Sequence, residues 1–450
     1  MSDLALGNFN RLSAPSQLKI TDLRFAKISG APMDCVLLKI YTNSELVGFG
    51  EVRDWASETY ALTLKSRLLG ENPCNVDKLF RKIKQFGGMS RQAGGVSGVE
   101  LALWDLAGKA YGVPIYQMLG GKFRDKVRLY SDTDQGGRPD GKKMGAALKE
   151  RLDLGFTFLK MDWGVGTLMG LEEGGYLTAP LGFLDELKAT RGVRRLYYSD
   201  REKFNKYNEV QNIAHFFTGL QITEKGLDFL ENYLAEVRSV IGYEVPLAID
   251  HCGHIGLNEC IKLGRRAEKY NIAWLEDLLP WQATEQWKKL SQAIATPLGT
   301  GEDIYLKENF LPLLESGALS IVHPDILSTG GILETKKIGD LAQNYGAAMC
   351  MHMAETPVAA LASAHVATAT ENFLALEFHS VEVDWWDDIV KAPHKPIIKN
   401  GFIELSDAPG LGIDDLNDEV IRAHLHSTQK DIWLPTPQWD DDYSSDRTWS

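Results

Sequence analysis

Seven residues stand where a repeated architecture could bring them together. Asp250, Glu276, Glu302, Asp325, His352 and Glu377 follow one another at intervals of 23 to 27 residues, and Lys160 precedes them by 90. Each ends or nearly ends a short apolar run: FTFLKMD (156–162), VPLAIDH (245–251), IAWLED (272–277), TPLGTGED (296–303), LSIVHPD (319–325), AAMCMHM (347–353) and FLALEFH (373–379). Taken singly, most Asp and Glu are solvated loop acids, and a lone His or Lys is a core or surface residue. A polar residue recurring in one phase behind apolar strands differs, because the C-terminal strand ends of a parallel barrel open on one mouth. Asp250, Glu276 and Glu302, with no Cys or clustered His among them, make an all-oxygen donor set that suits Mg2+. The apolar FTFL run leading into Lys160 predicts a partly buried amine of lowered pKa.

The elements that must position these residues follow from hydrophobic periodicity. From about residue 131 the apolar runs alternate with amphipathic stretches such as LNECIKLGRRAEKY and ILETKKIGDLAQNYG, the βαβα texture of a parallel barrel or doubly wound sheet. Before it, residues 1–130 have an α+β texture. LKITDLRFAKI and DCVLLKIYTNSELVGFGEV predict strands, with a turn at Thr42–Glu45. SGVELALWDLAGKAYG predicts a helix opened by Ser97 and Glu100 in capping-box spacing. The step from Lys160 to Asp250 is far longer than the others and contains an insertion at about 164–225. Long connections within a domain are usually functional, so the insertion is expected to cover the mouth, with Arg194, Arg195, Tyr197 or Tyr198 near the substrate. Residues 401–450 are turn-rich and acidic and are expected to pack back on the first module. Gly330-Gly331 predicts a turn before a helix, and Trp385-Trp386 packing positions.

The motifs together resemble the mandelate racemase and muconate lactonizing branch of the enolase superfamily. The likeness is carried by ELALWDLAGKAYGVPIYQMLGG (100–121), Lys160-Met161-Asp162, Asp250, Trp274-Leu275-Glu276-Asp277, Gly301-Glu302-Asp303, Pro324-Asp325, His352 and PGLGID (409–414), and spans about residues 15–415. It implies an α/β fold: a (β/α)7β TIM-like barrel over 131–400 behind an α+β capping domain, with one Mg2+ on Asp250, Glu276 and Glu302. It further implies an Asp325–His352 dyad and Lys160 as acid–base groups, and Glu377 as the acid facing an enolate oxygen. The chemistry is coherent in itself. The α-proton of a carboxylate is weakly acidic, its removal gives a dianion, and a divalent cation stabilises that charge.

Within such a family the residues favour a lyase: dehydration of an aldonate-like sugar acid to a 2-keto-3-deoxy acid. Asp162 replaces the second lysine common in racemizing members, and the LEFH strand end looks closer to sugar-acid dehydratases. A racemase or epimerase, with Lys160 and His352 as bases on opposite faces, is the alternative, followed by a cycloisomerase or a silent binding module. Cys252 stands where related dehydratases carry Asn or His, so the group that protonates the leaving hydroxyl stays open. His251 and His254 flank it.

Bulk properties exclude other classes. A net charge of −13 argues against a nucleic-acid partner. No apolar run is long enough to span a bilayer, and the first residues lack the pattern of a signal peptide. Five scattered cysteines imply no disulfide framework. The expectation is a cytoplasmic homo-oligomer acting on a small carboxylate.

Overall fold

The computed structural model describes residues 15–133, 140–169, 171, 173–180, 182–185, 219–250, 252 and 255–441. Two compact units emerge from the contacts. One takes the chain up to Ser131, Gly301–Leu314 and the residues from Val322; the other takes Asp132–Thr300 and Glu315–Ile321.

The first unit opens with an antiparallel meander, β1 (Ile20–Ile28), β2 (Cys35–Thr42) and β3 (Val47–Val52), turning between β2 and β3 where the sequence places the turn. Helix α1 (Gly94–Tyr111) lies directly on β3. Glycine makes that approach feasible: a Cβ on Gly50 would meet the Gly98 carbonyl at 2.1 Å, and one on Gly98 would meet the Glu51 carbonyl at 2.2 Å. Around this contact Leu38, Ile40, Val52, Val99 and Leu103 form the core, so the end of β3 is rigidly placed. The later chain returns to these strands. His426 N donates to Lys27 O, Thr436 Oγ1 to Leu23 O, and Lys65 pairs with Asp440. Trp386 is buried and donates its indole N–H to Glu355 O, while Trp385 stacks on His424, both packing roles.

Eight parallel strands close into a barrel in chain order: β4 (Val127–Thr133), β5 (Leu159–Asp162), β6 (Leu247–Asp250), β7 (Ile272–Glu276), β8 (Leu298–Thr300), β9 (Ile321–Val322), β10 (Ala348–Met351) and β11 (Phe373–Phe378). The longer helices of the connections are α2 (Gly141–Asp153), α3 (Glu224–Ile241), α4 (Leu257–Ala267), α5 (Thr284–Ala293), α6 (Lys307–Glu315), α7 (Ile332–Asn344) and α8 (Pro357–Thr368), giving (β/α)7β. Strand β4 is absent from the predicted set, because the polar end of VRLYSDT hides a strand that pairs on β11. Strands β8 and β9 are also shorter than predicted. Gly301 takes a positive φ of +148°, and Pro324 has no N–H for a ladder, so Glu302 and Asp325 lie just past their strands.

The capping box is corrected. α1 begins at Gly94, so Ser97 and Glu100 sit inside it; Ser97 Oγ donates back to Ala93 O. Glu100 instead accepts from Ile332 N (2.7 Å) and Leu333 N (3.2 Å), capping α7 after the predicted Gly330-Gly331 turn. A carboxylate there meets the unpaired N–H groups of a helix start. In the insertion, Leu177–Thr178 pairs antiparallel with Gln221–Ile222. Arg194, Arg195, Tyr197, Tyr198, His251 and His254 lie outside the described residues. Among the described residues no helix is long and apolar enough to cross a membrane.

Candidate active site

The predicted residues fall into two groups, one in each unit. In the second unit Lys160, Asp250 and Glu276 come from β5, β6 and β7, and strands β5–β6 and β6–β7 pair in parallel. Lys160 is 1% exposed. Its Nζ donates to Asp250 Oδ2 at 2.9 Å and lies 3.3 Å from Glu276 Oε2, which also accepts from Trp274 Nε1 at 3.0 Å. The side chain is buried, as predicted, with carboxylate oxygens of two acids within reach of its Nζ. These carboxylates are buried oxygen donors with one ammonium between them, a donor set that fits Mg2+. Cys252 is buried beside them, and burial with the charges of Asp250 and Asp162 pushes its thiol well up. A thiol in that setting is a poor source of a catalytic thiolate.

In the first unit Asp325, His352, Glu302 and Glu377 come together. Backbone bridging sets Asp325 beside His352 at neighbouring strand ends. Asp325 Oδ2 lies 2.6 Å from His352 Nδ1, and Oδ1 accepts from Leu327 N at 2.6 Å. With Nδ1 on the aspartate, the other ring nitrogen, Nε2, lies 3.2 Å from Glu302 Oε2. Glu377 is fully buried on β11, its Cα partner across the strand pair is Tyr130, and Tyr130 OH donates to Oε2 at 2.9 Å. His323 Nε2 lies 3.4 Å and His352 Nε2 3.9 Å from the same oxygen, while His379 Nε2 is 3.1 Å from Oε1. The donor atoms of His352, Glu377 and His379 all lie within 4.8 Å of one another.

The same cluster holds a residue that strand-end spacing cannot reveal. Arg53, just past β3 and 1% exposed, donates through Nη1 to Asp325 Oδ2 (2.5 Å) and Glu355 Oε1 (2.8 Å) and lies 2.9 Å from His352 Nδ1. Its Nε is 3.2 Å from Asp54, and Nη2 is 3.7 Å from Glu302. Burial opposes the guanidinium charge, but these carboxylates outweigh it and hold Arg53 firmly protonated. Burial pushes Asp325 up to about 7 against the pull of Arg53, and pushes Glu355 up to about 8 with the help of Asp325. The donors converging on Asp325 (Leu327 N, Arg53 Nη1 and His352 Nδ1) suit its ionised form. His323 and Tyr130 were also missed. His323 shares strand parity with Asp325, a usable signal, whereas Tyr130 lies on the unpredicted strand.

Comparison with known proteins places this geometry in a lineage. Residues 15–120 match the mandelate racemase / muconate lactonizing enzyme N-terminal domain, and residues 143–419 match the enolase C-terminal domain-like family. The chain is 31% identical to a D-xylonate dehydratase of Haloferax volcanii over 417 residues, covering 90% of this chain and 89% of that protein. A D-galactonate dehydratase of Verminephrobacter eiseniae is 27% identical, covering 90% and 94%. Among solved structures, a mandelate racemase/muconate lactonizing enzyme-like protein from Rubrobacter xylanophilus superposes with a TM-score of 0.75 at 27% identity, covering 92% of this chain and all of that one. With both domain families matched along its length, the chain belongs to the enolase superfamily, in its mandelate racemase / muconate lactonizing enzyme branch.

Proposed function

We propose that this protein is a sugar-acid dehydratase, removing water from an aldonate to give a 2-keto-3-deoxy acid. The observation that carries the reading is the buried Asp325–His352 pair, with Nδ1 fixed on the carboxylate and Nε2 left for substrate, in a chain whose relatives include dehydratases of D-xylonate and D-galactonate. In this reading Asp250, Glu276 and Glu302 hold one Mg2+. Bound there, the ion supplies the positive charge that an enediolate requires. His352 Nε2 takes the C2 proton while Asp325 stabilises the imidazolium that forms. Glu377, fixed by Tyr130, faces the developing enolate oxygen. The C2–C3 double bond forms as the C3–O bond breaks, the hydroxyl leaves with a proton as water, and the enol tautomerises to the 2-keto acid. Lys160 completes the acid–base set. A cytoplasmic homo-oligomer belongs to the same reading.

The test is a panel of aldonates, including D-xylonate, D-galactonate and D-gluconate, assayed with Mg2+ for 2-keto acid product. At least one acid should give keto acid in stoichiometric yield. Turnover of none, with racemization or cycloisomerization of another carboxylate, would replace this reading.

A further inference from the structure

Two side chains at the end of β3 point the same way along the strand, two residues apart, and do different things. Glu51 accepts from Thr356 N (3.1 Å), Thr356 Oγ1 (2.6 Å) and Ala359 N (3.1 Å), so it caps the start of α8. Arg53 reaches the dyad itself. Its Nη1 and His352 Nδ1 lie 2.9 Å apart and are both directed at Asp325 Oδ2, while the same Nη1 holds Glu355. The region is fully enclosed: Asp325 and Glu355 are 0% exposed. The imidazole is thus positioned from its Nδ1 side by a carboxylate whose own position is set by a guanidinium from the N-terminal module.

We propose that Arg53 is a positioning residue of the proton-abstracting dyad: it locks the Asp325 carboxylate in line with His352 Nδ1 and thereby fixes the direction of Nε2. The inference rests on the reading of His352 as the base. A planar guanidinium bonded to both Asp325 and Glu355 fixes geometry that a lysine point charge would not. Misplacing a catalytic group by about 1 Å costs on the order of 100-fold in rate. Arg53→Lys keeps the buried positive charge and the fold but should lower kcat by about 10- to 100-fold, with KM changed by less than about threefold. Arg53→Met should lower kcat further. Glu51→Gln, which alters the cap of α8 and makes no bond to the dyad, should weaken thermal stability and leave kcat within about twofold.

A second readout needs no turnover. In the 15N-histidine-labelled protein the Nδ1–H of His352 should give a low-field proton resonance, identified by its absence in His352→Asn. That resonance should persist in Glu51→Gln and shift or broaden away in Arg53→Lys. If the resonance is unmoved in Arg53→Lys, or if that variant keeps wild-type kcat, Arg53 is a structural counter-ion and the proposal fails. A rise in KM alone would equally overturn it, making Arg53 a substrate contact. If no aldonate is dehydrated by wild-type protein, the functional reading falls while the resonance still decides the role of Arg53.

Discussion

The two polar clusters are built by different logics. In one, Lys160 lies among Asp250 and Glu276, and the three come from strands each paired with its neighbour in sequence order. In the other, Arg53 stands among Asp54, Asp325, Glu355 and Glu302, and its main partner lies 272 residues away in the chain. The first is a product of barrel topology, repeated at each strand end. The second needs the N-terminal meander to deliver one side chain to the dyad. A strand-end carboxylate can be inferred from spacing; a guanidinium from another module cannot.

The largest expected effect lies in the arginine cluster. His352→Asn removes the atom left for substrate and should lower kcat by about 10²- to 10⁴-fold, measured as keto acid release. In the lysine cluster, Glu276→Gln removes one of the charges that hold both Lys160 and the ion of the proposed site. Turnover should be lost with the far-ultraviolet circular dichroism unchanged, and Mg2+ should restore chelator-treated wild type but not this variant. Full activity of chelator-treated wild type would sink the metal assignment.

The difference between the clusters also shows in stability. Burial and the charge of Glu355 push Glu51 up to about 8, against the pull of its hydrogen bonds to Thr356 and Ala359. An acid whose folded pKa exceeds its unfolded one keeps its proton in the folded state between the two. Its contribution is therefore complete below about 4.3 and is lost as pH rises toward 8. Urea unfolding between pH 5 and 8 should show stability falling with pH, and Glu51→Gln should flatten the slope by up to about 1.4 kcal/mol per pH unit. A slope unchanged by that substitution would put the proton elsewhere. The smallest effect is expected at Cys252. Its thiol is buried and pushed up, so Cys252→Ala should keep kcat within about threefold. A loss beyond 100-fold would make it the missing acid after all.

What the sequence disclosed follows the same division. The strand–helix alternation and the strand-end residues were legible because apolar runs in constant phase leave little topological freedom, whereas the closed barrel and the pairing of Asp325 with His352 were implied only by the family resemblance. Strand β4 escaped because its second half, Ser131-Asp132-Thr133, is polar. Ser97 and Glu100 had the right spacing for a capping box, yet Glu100 caps a different helix, one that reaches it only in the tertiary fold. Arg53 left no trace because nothing in Val52-Arg53-Asp54 distinguishes an inward arginine from a solvated one.

The fate of the C2 proton decides the dehydratase reading. Wild-type protein turning over a responsive aldonate in deuterated water, followed by NMR, should release a 2-keto acid carrying deuterium at C3, and His352→Asn should yield none. Recovered acid bearing deuterium at C2 with inverted configuration, and no keto product, would contradict it and make the enzyme an epimerase.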